Sequence, residues 1–137
     1  MTERVRSGPR ILLVEDEPAN RALVRAIIAR TDRAELDGIA LLEAATIAEA
    51  RSVLASHPVD IVLVDVRLPD GNGLDLATEL RARPGAGPAK VVIVSASVLP
   101  TERTRALATG ADAFLAKPFD AKDLVELLVR LWGSCRP

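Results

Sequence analysis

Four sets of polar residues in this chain follow directly on apolar runs, and their chemistries complement one another. Glu15 and Asp16 follow ILLV, Asp65 follows IVLV, Ser95 follows VVIV and Lys117 follows AFLA. A carboxylate at the end of the most apolar segment is costly to hold there. If the runs lie side by side with their ends on one rim, Asp16 and Asp65 stand close together with Glu15 behind them. Two like charges ~4 Å apart repel by about 4 kcal/mol at an effective dielectric of about 20. Protonating one carboxylate relieves this, and so does a cation between them. Oxygen donors with no His or Cys among them select a hard ion, Mg²⁺ or Mn²⁺, and room for water favours Mg²⁺. Lys117 adds a compact cation and Ser95 a hydroxyl, both suited to phosphoryl oxygens. Carboxylate, hard cation, Lys and Ser together describe phosphoryl transfer onto an aspartate.

Such a rim needs parallel strands, and the hydropathy pattern supplies them. Short β-branched runs predict strands at Arg10–Val14, Gly38–Glu43, Asp60–Val64, Lys90–Val94 and Ala113–Leu115. Between them apolar residues recur at helical spacing: Leu23, Val24, Ile27 and Ile28; Ile47, Ala50, Val53 and Leu54; Leu74, Ala77 and Leu80; Leu124, Leu127, Leu128 and Leu131. The last stripe is widened by Val125 and Trp132, which leaves a partner surface open there. Pro100–Thr109 reads as a helix with a thin apolar face of Ala106 and Leu107, and thin faces mark elements that shift. Pro18 is placed to open the first helix and Asp120 to cap the last, and Pro84–Pro88 reads as a loop. Five strands, each followed by a helix, predict an α/β fold with a parallel sheet covered on both faces. In such sheets ligands bind outside the carboxyl ends of the strands.

Composition agrees with this and excludes other classes. The 137 residues suffice for one domain; 49% are hydrophobic, and 18 basic against 19 acidic residues leave no basic footprint for nucleic acid. With two Phe, one Trp and no Tyr, a base-stacking surface is not expected. No apolar run reaches the ~20 residues of a membrane span, and the N-terminus lacks a signal-peptide core. Cys135 has no partner for a disulfide within the chain. A soluble, cytoplasmic domain is the expectation.

The segments ILLVEDEP, IVLVDVRLPDGNGLDL, VVIVSAS and ADAFLAKPF stand in the order and at the spacing of a known family. Over about residues 10 to 132 the chain resembles the receiver domain of two-component response regulators, in the single-domain form of chemotaxis regulators. The resemblance implies a flavodoxin-like, doubly wound five-stranded parallel sheet of order 2-1-3-4-5, with residues 1–9 a flexible N-terminal segment and 133–137 a tail. It implies that Asp65 accepts a phosphoryl group, as an aspartyl phosphate, from a histidine kinase, a histidine phosphotransfer protein or a small phosphodonor. Glu15 and Asp16 match the acidic pair that holds Mg²⁺. Because many members carry Asp at the first of these, Glu15 is expected to act through water. Arg67 matches a variable position whose backbone carbonyl ligates the metal. Ser95 matches the hydroxyl that bonds the phosphoryl group, Ala96 the small residue that leaves access to it, and Lys117 the family's lysine. The Lys117–Pro118 bond is expected to be cis. Phe114 matches the aromatic switch that turns inward when Ser95 moves.

The implied role is a signalling switch that catalyses only its own phosphoryl transfer and autodephosphorylation. Its output is expected through a partner protein at the Pro100–Trp132 surface, and homodimerisation is left open. Since the resemblance fills nearly all the chain, the alternative is a receiver domain cut from a larger protein such as a hybrid kinase. A second alternative is a pseudo-receiver scaffold, which would have lost an acceptor, metal or lysine position; none is lost. A dehalogenase-like phosphatase wants Asp-x-Asp after the first strand, whereas Arg67 stands where the second Asp would be. Other residues have plainer readings. Glu17 opens a helix where negative charge is favoured anyway, and His57 lies in a loop at the far end of the sheet. Ser97 and Arg67 are either rim residues or tuners of the phosphorylated lifetime.

Overall fold

The computed structural model describes residues 8–82, 90–96 and 99–135. Ser97 and the Pro84–Pro88 loop lie outside these, as do residues 1–7. Among the described residues seven strands and five α-helices follow in order: β1 (Arg10–Val14), α1 (Pro18–Arg30), β2 (Ala40–Ala44), α2 (Ile47–Ser56), β3 (Ile61–Asp65), β4 (Arg67–Leu68), β5 (Gly71–Asn72), α3 (Gly73–Ala82), β6 (Lys90–Ser95), α4 (Pro100–Ala108), β7 (Ala113–Ala116) and α5 (Ala121–Cys135). A short 3₁₀ turn at Ala34–Leu36 precedes β2. Five strands form one parallel sheet of order β2-β1-β3-β6-β7. With the small antiparallel β4–β5 pair set aside, this is the expected 2-1-3-4-5 order.

Successive side chains of a strand face opposite ways, so each apolar run feeds two cores. Ile11, Leu13, Ile61, Leu63, Val92 and Val94 pack with α1 and α5, while Leu12, Val14, Val62, Val64, Val91 and Ile93 pack with α2, α3 and α4. At the amino end of the sheet two carboxylates take up backbone donors: Asp60 accepts from the Arg10 N–H at 2.8 Å and Asp112 from the Val91 N–H at 2.8 Å. The opposite end is left to the polar residues named above.

The helices differ in how firmly they are held. Leu124, Leu127, Leu128 and Leu131 of α5 are all buried, each a transfer gain of about 2 kcal/mol. The Asp123 N–H donates to Asp120 at 2.8 Å, which caps that helix as expected. By contrast α4 buries only Ala106, because Leu107 points out at 44% exposure. Its face is thinner than the expected pair, and α4 is the least anchored of the helices. On α1, Leu23 is 46% exposed, so its inward stripe is Val24, Ile27 and the half-buried Ile28.

Several element boundaries differ from the expected ones. The second strand begins two residues later than expected, because Gly38 turns at φ 85° before Ala40 pairs with Arg10. Helix α5 runs on to Cys135, so the residues read as a tail begin as helix. Within the expected N-terminal segment Gly8 and Pro9 are buried, and the Pro9 carbonyl accepts from Ala40 at 3.0 Å.

Candidate functional site

The ends of β1, β3, β6 and β7 converge as the strand pattern requires. Each backbone is locked by its neighbour: Glu15 N–H donates to the Ala44 carbonyl at 2.9 Å, Val66 to Val94 at 3.2 Å and Lys117 to Ser95 at 2.8 Å. Beyond β3 the chain must turn back at once, and Gly73 makes room for it. A Cβ there would overlap the Asp65 carbonyl oxygen. The Gly73 N–H closes the loop by donating to Val66 at 2.7 Å.

One cation organises the side chains. Lys117 Nζ donates to Glu15 Oε1 at 2.9 Å and to Asp65 Oδ2 at 3.0 Å, joining residues far apart in sequence. The other Glu15 oxygen accepts from the Glu17 N–H at 3.1 Å, and the Glu15 carbonyl accepts from Arg21 Nη1 at 2.9 Å. Arg21 also lies 3.5 Å from Glu43, so a cation buttresses the acidic loop from the β2 side. Glu17 is exposed, in keeping with its reading as a helix-opening charge.

Burial, the largest cause, pushes the Asp65 pKa above its ordinary value; the Lys117 bond opposes this and the Glu15 charge adds to it. For Lys117 burial alone would pull the ammonium down. Its bonds to Glu15 and Asp65 together outweigh that and hold its pKa above the ordinary lysine value. The plainer reading of Asp65 as a turn cap has only a long bond in its favour, Arg67 N–H to Oδ1 at 3.4 Å.

One ligand atom from each of Glu15, Asp16 and Asp65 lies within 4.8 Å of the others. Three carboxylates that close, with one lysine among them, carry excess negative charge in an all-oxygen donor set, and this fits a hard divalent ion. Both Glu15 oxygens already accept a hydrogen bond, which suits a water-mediated role; Asp16 and Asp65 are better placed to ligate directly. They line a cleft of about 640 Å³ together with Arg67, Ser95, Ala96 and Lys117. Ser95 is buried and Ala96 exposed at its wall. Lys117 also lines a mainly apolar cavity of about 420 Å³ with Leu23, Val24 and Phe119.

Phe114 is half-buried on β7 and packs on the α2–α4 core, with the Arg103 guanidinium of α4 5.5 Å from its ring centre. The Lys117–Pro118 bond is cis, as expected. His57 is exposed and paired with Ser56 Oγ at 3.0 Å, before β3 and away from the cleft. The tie between Asp70 and α2 is absent from the sequence reading: its carboxylate accepts from the Ile47 and Ala48 N–H groups at 2.9 and 3.0 Å. A Pro-Asp-Gly turn was the visible signal, and it reads equally as a plain bend.

Known proteins are similar to this chain in sequence and in fold. Among curated relatives, PilR of Pseudomonas aeruginosa is 37% identical over 122 residues, covering 89% of this chain and 26% of PilR. KdpE of Escherichia coli is 34% identical over 114 residues, covering 83% of this chain and 47% of KdpE. This chain therefore spans about half or less of the curated relatives it matches. Among solved structures, the receiver domain of the P. aeruginosa sensor histidine kinase PA1611 superposes with a TM-score of 0.78 at 29% identity, covering 92% of this chain and 98% of that one. It is described with a magnesium ion coordinated in its active-site cleft. A CheY-like receiver protein from Methanospirillum hungatei gives 0.78 at 27% identity, covering 93% and 96%. The family model for the response regulator receiver domain matches residues 11–129, and the chain belongs to that family.

Proposed function

We propose that this chain is a phosphorylation-activated switch whose acceptor is Asp65. The observation that carries the reading is the Lys117 ammonium bonded to both Glu15 and Asp65 beside a cleft lined by Asp16 and Ser95. A carboxylate grouped with an acidic cluster, a cation and a hydroxyl supports the reading, and so does membership of the family.

In the proposed transfer, an Asp65 oxygen attacks phosphorus as the bond from phosphorus to the donor's imidazole nitrogen breaks, and that nitrogen keeps the electron pair. Asp16, Asp65, the Arg67 carbonyl and, through water, Glu15 would hold Mg²⁺, which would supply neutralisation of charge on the transferring group. Lys117 redirects an N–H from Asp65 to a phosphoryl oxygen while keeping Glu15. Ser95 offers its hydroxyl from the β6 end, and Ala96 leaves the approach open. Residues that hold the group in line supply catalysis by positioning.

The new charge then favours a conformer with Ser95 and Phe114 drawn inward. A modification shifts such an equilibrium only by its differential interaction with the two states. Helix α4 is suited to respond, because it buries only Ala106 and touches Phe114 through Arg103. Leu107, 44% exposed, then belongs to the Pro100–Trp132 surface that meets a partner protein, and Leu99, 58% exposed, borders it. The donor is a histidine kinase or phosphotransfer protein and the setting cytoplasmic; among the described residues no helix is long and apolar enough to cross a membrane.

The test is transfer from isotopically labelled, phosphorylated kinase domains with and without Mg²⁺. Label should move to this chain only with Mg²⁺ and an intact Asp65. No transfer from any of a full set of kinases, together with no uptake from small donors, would leave a binding scaffold instead.

A further inference from the structure

The loop between β3 and α3 carries the Arg67 carbonyl, yet little of it is buried. Arg67, Asp70, Gly71 and Asn72 are exposed, and the β4–β5 pair joins only Arg67 with Asn72 and Leu68 with Gly71. A pair that short is marginal by itself. Its far limb is tied to α3, where Asn72 Oδ1 accepts from the Leu74 N–H at 2.8 Å. Leu68 packs on the α2–α4 core from the near limb. The tip is tied elsewhere. Asp70 Oδ1 accepts from Ile47 N–H at 2.9 Å and Oδ2 from Ala48 N–H at 3.0 Å, across more than twenty residues. Next to it Gly71 sits so close to α2 that a Cβ would lie 3.0 Å from Ile47 Cδ1.

Helix α2 has a cap of its own. Thr46 Oγ1 accepts from Glu49 N–H at 3.0 Å, and the Glu49 carboxylate accepts from Ala45 N–H at 2.8 Å. This local pair starts the helix in the usual way. Asp70 takes up the Ile47 and Ala48 N–H groups, which the local cap does not, and it does so from the tip of a loop whose other ties lie along its two limbs. The consequence of the clamp therefore falls on the loop as well as on the helix.

We infer that Asp70 is a positioning residue for the Arg67 carbonyl: by clamping the loop tip to the first turn of α2, it holds that carbonyl where a divalent ion at Asp16 and Asp65 meets it. This rests on the Mg²⁺-binding reading above. Partners that orient metal ligands without touching the metal typically matter by tenfold or more in affinity.

The control is built into the fold, since Thr46 and Asp70 cap the same helix but only Asp70 belongs to the loop. Mg²⁺ affinity is measured by calorimetric titration, with the melting temperature beside it, for wild type, Asp70→Ala, Asp70→Asn and Thr46→Ala. High salt is used so that loss of an exposed charge counts for little. Asp70→Ala should weaken Mg²⁺ binding about tenfold, Asp70→Asn less, and Thr46→Ala should lower the melting temperature without moving the affinity. Equal affinities for wild type and Asp70→Ala would overturn the inference, as would an equal loss in Thr46→Ala. Should Asp70→Ala fail to fold, Asp70→Asn against Thr46→Ala decides by the same criterion. If wild type itself takes up no Mg²⁺, the underlying metal reading falls, and this inference falls with it.

Discussion

Replacing Asp65 by Asn removes one charge from a crowded cluster while keeping the volume and an acceptor for Lys117. In the absence of metal, Asp65 faces Glu15 and Asp16 within 4.8 Å and Lys117 at 3.0 Å. At an effective dielectric of about 20, each carboxylate at that limit repels it by about 3.5 kcal/mol, and Lys117 attracts it by about 5.5 kcal/mol. The two repulsions exceed the one attraction by about 1.5 kcal/mol, and burial acts in the same direction. Asp65→Asn should therefore stabilise the metal-free protein by about 1.5 kcal/mol, a rise of roughly 5 °C in melting temperature for a domain of this length.

The assay is thermal unfolding followed by circular dichroism in a chelator, repeated across pH. The folded state raises the Asp65 pKa, so it holds that proton more tightly than the unfolded chain does. Wild-type stability then falls as pH rises from the ordinary aspartate value, 3.8, through the raised one, and Asn escapes that loss. The advantage of Asn should be full above the raised value and fade as pH falls towards 3.8. With saturating Mg²⁺ the order should reverse, because ligand at a hundred times its Kd stabilises wild type by about 2.7 kcal/mol. A clear destabilisation by Asn in chelator would refute the reasoning, and so would an advantage that does not change with pH.

Three further outcomes follow from the same geometry. Lys117→Ala strands two carboxylates in a largely buried place, so it should cost about 3 kcal/mol in chelator, regain part of that with Mg²⁺, and slow phosphorylation, all read by melting and mass spectrometry. Gly73→Ala would drive a Cβ into the Asp65 carbonyl and should cost about 3 kcal/mol or more in chemical denaturation; a loss near zero would show that the turn has slack. His57→Ala should leave phosphorylation by a small donor unchanged, since its exposed ring lies before β3, and a slowed rate would bring that end of the sheet into the chemistry.

Much of the sheet was legible because apolar runs with fixed period leave few alternatives. β1 matches its expected span, Arg10–Val14, and β3, β6 and β7 differ at their ends by a residue. The β2 start was misplaced because the turn at Gly38 consumes residues that hydropathy alone assigns to a strand. Leu23 and Leu107 show the limit of stripe counting: a helix on one face of a sheet buries a narrower arc than its apolar residues span.

For the site, residue types at strand ends named Asp16, Asp65, Ser95 and Lys117, and the family resemblance added the roles of Glu15, Arg67, Ala96 and Phe114. What spacing could not supply was pairing across the chain. That Lys117 bonds Glu15 as well as Asp65, and that Asp70 reaches α2, depends on how loops close in three dimensions. A short polar side chain in a turn carries no mark of which distant backbone it will meet.

The central claim is that Asp65 takes a phosphoryl group with the help of a divalent ion. Its most direct test is the intact mass of the protein after incubation with a small acyl-phosphate donor, with Mg²⁺ and with chelator. One phosphoryl group should appear on wild type with Mg²⁺, and none with chelator or on Asp65→Asn. An unchanged mass, or the same gain in Asp65→Asn, would contradict the account.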